Sequence, residues 1–190
     1  MTSKDLSGSS KSSFAALRIS LDSALKAKSA KESEVVASDL FAVVSALDSS
    51  TGLRRALTDP ARDGGAKANL VQDLFGKVIS PSTLSLIESG VSLRWSTPSD
   101  LADAIERLAV EALAASAEAG GEIDRVEEEL FAIARLIASE SELRSNLNDG
   151  KFSQESKGAL LRSIFASARS RSCASSRLAR RSRPDMETGS

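Results

Sequence analysis

Residues 35–76 and 125–166 align with each other at a constant offset of ninety and without a gap. Leu40-Phe41-Ala42 recurs as Leu130-Phe131-Ala132, Leu53-Arg54 as Leu143-Arg144, Leu57 and Asp59 as Leu147 and Asp149. Lys67, Leu70 and Phe75 recur as Lys157, Leu160 and Phe165, and there are about a dozen identities in all. Two unrelated helical segments can share leucines by chance, but they do not also share an Arg, an Asp and a Lys in register. The chain therefore holds two copies of one supersecondary unit, which narrows the architecture before any residue is given chemistry.

The period within each copy is helical. Phe14, Leu17, Leu21 and Leu25 predict a first helix over 13–28, after a polar lead-in at 1–12 expected to be disordered. Val36, Leu40, Val43, Val44 and Leu47 predict a second over 35–47, and a short third covers 52–57 before Asp59-Pro60 stops it. A fourth runs over 67–77 after Asp63-Gly64-Gly65. Ser80-Pro81 opens a fifth that reaches Trp95, with Ser at the N-cap and Pro at the first helical position. A long sixth covers 101–118 and ends at Gly120-Gly121. Shifted by ninety, its second half falls on the first helix, so it closes one unit and opens the next. The replay predicts helices over 123–139, 142–148 and 154–165. The expected fold is all-α: a bundle of about six helices over 13–119, followed by a partial second copy over 120–166.

Composition agrees with this and excludes several functions. Ala, Leu and Ser dominate, while six Phe, one Trp and no Tyr supply few aromatics, which suits close helix packing better than a sheet. The absence of histidine removes the commonest general base and the commonest zinc ligand. Cys173 has no partner for an intrachain disulfide, which points to a reducing compartment, and no metal site can be built on thiolates. No apolar run is long enough to span a bilayer, and Thr2 to Ser13 lacks the apolar stretch of a signal peptide.

Beyond Phe165 the period collapses into an Arg/Ser-rich tail, 167–190, expected to be disordered. One reading makes it a basic segment for acidic partners. The other makes it non-native sequence, because a shifted frame in a GC-rich gene yields such Arg/Ser/Ala/Cys runs. Without the tail the chain is acidic, which argues against nucleic-acid binding.

Catalytic patterns are weak. Glu127-Glu128-Glu129 on a helix point about 100° apart and do not converge; they read as acidic charge in a first helical turn. Gly64-Gly65 followed by Lys67 lacks the spacing of a phosphate loop and no strand precedes it. Serines are many, but no histidine activates them. No cofactor or metal is expected.

In the order and spacing of FAALRISLDSAL, ASDLFAVVSALDSSTGLRRALTDP and KANLVQDLFGKVISPSTLSLIESGV, the chain resembles the N-terminal helical domain of the delta subunit of F-type ATP synthases, called OSCP in mitochondria. The second copy resembles the duplicated delta subunits of actinobacteria. The resemblance covers about residues 13–166, and LRRALTDP with KANLVQDLF is its most specific part.

That resemblance implies a non-catalytic connector in the peripheral stalk, on the cytoplasmic face of the bacterial membrane, serving proton-driven ATP synthesis. It implies a groove between the first and fifth helices that holds the N-terminal helix of the alpha subunit. The fifth helix has two apolar stripes, Leu84, Ile87 and Val91 on one side and Leu86 and Leu93 on another. Such a helix is either central in the bundle or offers one face to a partner. The candidate partner-binding residues are Ile19, Leu84, Ile87, Val91, Arg94 and Trp95. The family's C-terminal segment, which has strand character and grips the stalk b subunits, has no counterpart here, so the expectation is head binding without the stalk b contact. The competing reading is an unrelated helical-repeat regulator or peptide-binding adaptor.

Overall fold

A computed structural model of the chain describes residues 8–141, together with Leu6, Ser145 and Gly158. The described residues are all-α: seven helices and no strand. They are α1 (Ser9–Leu25), α2 (Ala30–Ser49), α3 (Thr51–Thr58), α4 (Gly64–Phe75), α5 (Pro81–Ser92), α6 (Pro98–Ala119) and α7 (Ile123–Ser139). Of the expected helices over 142–148 and 154–165 only Ser145 and Gly158 are described, both helical, and the tail 167–190 lies outside the described residues.

Local chemistry sets each start. Ser29 and Glu32 form a capping box: the Ser29 side chain accepts from the Glu32 amide, and Glu32 Oε2 accepts from the Ser29 amide at 2.9 Å. This moves the start of α2 ahead of its first apolar residue, Val35, where periodicity alone placed it. Ser50 accepts from the Leu53 amide at 3.2 Å and opens α3. Asp63 accepts from the Gly65 amide at 2.9 Å and opens α4. Ser80 caps α5, with Pro81 at its first position.

α1 corrects an expectation. The helix begins at Ser9, inside the lead-in expected to be disordered, because Ser9 and Ser10 are tied to Ser96 and Asp100 at the start of α6. Ser10 is fully buried; its hydroxyl donates to Asp100 Oδ2 at 2.7 Å and accepts from the Ser96 amide at 2.8 Å. Ser13 donates to the Arg94 carbonyl at 2.6 Å. Hydrophobic periodicity is blind to a helix end held by buried hydroxyls.

The chain divides into two units at Ile123/Asp124. In the first, α2 and α6 pack along their length. Val36, Leu40, Val43 and Leu47 on α2 meet Leu101, Ile105 and Leu108 on α6, all buried. Ala104, Ala109 and Ala112, also buried, let the α2 backbone approach closely. Each large side chain so buried contributes about 1.5–3 kcal/mol. α1 and α3 also pack on α6, and α5 contacts α1, α2 and α4. Asp39 of α2 fixes the start of α5, accepting from the Ser80 amide at 2.8 Å and the Thr83 hydroxyl at 3.1 Å.

The second unit begins with α7, where Ile133 is buried and Leu130 and Phe131 are exposed. Glu129 pairs with Arg125 at 3.1 Å, one helical turn away.

Candidate partner-binding surface

The two apolar stripes of α5 decide what it can offer a partner. Ile87 and Val91 on one stripe and Leu86 on the other are buried, while Leu84 and Leu93 are half-buried and pack on the same core. α5 is thus a central helix with apolar neighbours on both sides, and its second stripe is not a vacant face.

Trp95 follows the same logic. It is 9% exposed, and its indole Nε1–H donates to the Gly90 carbonyl at 2.9 Å, which satisfies a carbonyl near the end of α5. α5 ends at Ser92, three residues before the expected limit, and Leu93 turns the chain into an extended conformation. The Trp is then carried back over the helix end. As a result Ile87, Val91 and Trp95, three of the six candidates, belong to the core and do not line an open groove in this conformation. Sequence spacing put Ile87 and Val91 on one stripe; the bundle covers that stripe and the second one as well.

Ile19, Leu84 and Arg94 remain. Ile19 is 68% exposed on α1. Two residues along a helix turn it by about 200° from Leu17, so it looks away from the Leu17/Leu21 core face. Ala15 and Ala16 are exposed one turn before it, which makes a narrow apolar strip on the outer side of α1. Arg94 is exposed at the end of α5.

The strip is bounded by fixed geometry. On one flank of α1, Arg18 Nε bonds Glu111 Oε2 of α6 at 3.0 Å, and the Arg107 guanidinium lies 5.9 Å from the centre of the Phe14 ring. On the other flank Ser13 holds the Arg94 carbonyl. α1 is therefore clamped to α5 and α6 while its outer strip stays open, which is the arrangement a helix laid alongside it requires.

No group of three His, Cys, Asp or Glu is placed to hold a metal among the described residues. The Glu127 and Glu128 carboxylates are exposed, and Glu129 is engaged with Arg125. The Glu32 carboxyl is held below the usual range, by the Ser29 hydroxyl first and the Ser29 amide second, which is a capping effect. No described helix is long and apolar enough to cross a membrane.

Comparison with known proteins adds a second line of information. A family model of the ATP synthase delta (OSCP) subunit matches residues 105–176, which begins within α6 and takes in α7. The ATP synthase subunit delta of Kineococcus radiotolerans is 46% identical over 142 residues, 75% of this chain and 51% of that protein. That of Streptomyces griseus is 40% identical over 160 residues, 84% of this chain and 59% of that protein. That of Beutenbergia cavernae is 41% identical over 139 residues, 73% of this chain and 51% of that protein. The chain thus spans between about half and three fifths of the length of these relatives.

Proposed function

Because the chain belongs to the ATP synthase delta (OSCP) family, we propose that it is a non-catalytic connector that holds the catalytic head of an F-type ATP synthase from the side. It acts at the cytoplasmic face of the membrane, without crossing it. Its contact with the head is the N-terminal helix of the alpha subunit, laid along the outer strip of α1 toward α5.

The observation that carries this reading is Ile19. A large apolar side chain, 68% exposed on a helix clamped by its neighbours, is what an incoming amphipathic helix buries first. A rigid seat also suits a connector: α1 need not reorder on binding, so little ordering entropy is lost. The role is mechanical. Such a subunit keeps the head from turning with the rotor and carries no bond-making step.

The stalk contact belongs to the same proposal only at the level of the family. A connector needs both ends engaged at once, and a tether raises the effective concentration of the second contact. The experiment that tests the head contact is a pull-down from membranes with the 190-residue chain as bait. Recovery of head subunits supports the connector, and recovery of another protein with no head subunit contradicts it.

A further inference from the structure

The start of α1, the start of α4 and the end of α5 border a partly open cavity of about 190 Å³ in the first unit. Arg62, Lys67 and Arg94 line it, with Gly64, Ser92 and Trp95, and no carboxylate is among the described residues that line it. Asp63, beside it in sequence, has its Oδ2 engaged by the Gly65 and Ala66 amides as the cap of α4.

Lys67 is the informative member. It is 5% exposed, yet its ammonium enters no hydrogen bond and no ion pair among the described residues. No buried side-chain nitrogen or oxygen among those residues lacks a partner, so the ammonium is not sealed into the core; it opens onto the cavity. A cation held in a low-dielectric wall without a counter-charge is unfavourable. Two arginines on the same wall, neither in an ion pair, add like-charge repulsion. An anion in the cavity removes both costs.

The class of anion follows from the lining. The Thr58 and Ser92 hydroxyls have their hydrogens engaged by the Arg54 and Glu88 carbonyls, which leaves the attraction of a ligand to the three cations. A neutral polyol would leave the three cations uncompensated. A carboxylate carries one charge, whereas a phosphate group carries up to two and offers three oxygens to one ammonium and two guanidinium forks. The volume equals the liquid share of about six waters, enough for a phosphate group with a few waters around it. We propose that this cavity is a phosphate site, taking inorganic phosphate or the end of a phosphomonoester, with Lys67, Arg62 and Arg94 as its ligands. The proposal does not depend on the head contact, and either can fail alone.

Trp95 is the only tryptophan of the chain and lines the cavity, so its fluorescence reports occupancy. The full chain is titrated with inorganic phosphate, with glycerol 3-phosphate and with acetate, at an ionic strength held constant with chloride. The expected result is a saturable change with phosphate, half-complete at about 1 mM or below. Lys67→Met and Arg94→Gln each raise the half-saturation point at least about tenfold, the loss of one charge-assisted contact. Saturation by glycerol 3-phosphate as well assigns the site to an ester end; saturation by inorganic phosphate alone assigns it to the free ion. Should Lys67→Met fail to fold, Arg62→Gln and Arg94→Gln, both at exposed positions, carry the test. A lysine that merely extends its ammonium toward solvent predicts the opposite. No saturable phosphate response, saturation by acetate alone, or parent-like binding by the folded variants would overturn the assignment.

Discussion

Leu17 of α1 lies with its Cδ1 3.1 Å from the point where a β-carbon on Gly90 of α5 would stand, so the two helices cross where α5 carries no side chain. Glycine inside a helix costs about 1 kcal/mol relative to alanine, and here that cost secures the close approach. Gly90→Ala regains the propensity but presses on a side chain that is 2% exposed and must shift by a few tenths of an ångström. Overpacking of this kind costs about 1–3 kcal/mol, so the variant is expected to lose about 1 kcal/mol net in urea denaturation. In a Leu17→Ala background the space is free, and the same Gly90→Ala change is expected to stabilise.

Asp100 is buried at the start of α6 and gathers the hydroxyls of Ser10 and Thr97 and the amide of Thr97, at 2.7, 2.6 and 3.2 Å. Asp100→Ala leaves these donors without their acceptor and removes the cap of the longest described helix. The expected loss is about 2–4 kcal/mol. Ser10→Ala removes one arm of the network and is expected to cost less, about 1–2 kcal/mol. Equal losses from the two substitutions in chemical denaturation would show that Asp100 is not the hub.

Glu32 gives a pH dependence of known sign. Its native carboxyl titrates below the unfolded one because the Ser29 hydroxyl and amide favour the charged form. A depressed native pKa contributes stability that is present above the unfolded pKa and fades as the pH falls through the native one. The melting temperature of the parent is therefore expected to exceed that of Glu32→Ala at neutral pH. That gap should narrow on acidification through the carboxylate range. A gap that widened in acid would rule out the capping box as its cause.

Much of this fold can be read in the residues because hydrophobic period and stop signals agree along the chain. Ser80-Pro81, Asp59-Pro60 and Gly120-Gly121 mark boundaries that the structure keeps, and α7 spans the predicted 123–139. The differences have one origin. Helix ends set by side-chain hydrogen bonds, such as Ser10 with Asp100 or Ser29 with Glu32, carry no apolar signature. Their partners in the first case are ninety residues apart, a distance no local pattern reports. The candidate surface was legible only in part. Spacing can show that Leu84, Ile87 and Val91 share a face, but burial depends on which helix packs there. Ile19, by contrast, stands alone against the period of its own helix and is exposed for that reason. The cationic cavity was hinted at only by Gly64 and Lys67; Arg62 and Arg94 join it through tertiary packing.

The central claim, that α1 seats the N-terminal helix of the alpha subunit, is tested most directly by calorimetric titration of the chain with a peptide of that N-terminus. Three proteins are compared: the parent, Ile19→Glu and Val78→Glu. Ile19 and Val78 are 68% and 71% exposed, so a charge at either leaves stability within about 0.5 kcal/mol. Val78 lies in the turn after α4 and is not part of α1. Ile19→Glu is expected to weaken peptide binding by about 2 kcal/mol, roughly thirtyfold in Kd, because a carboxylate is buried where an apolar contact stood. Val78→Glu should bind as the parent does. Parent-like binding by a folded Ile19→Glu protein, or equal weakening by both substitutions, would contradict the claim.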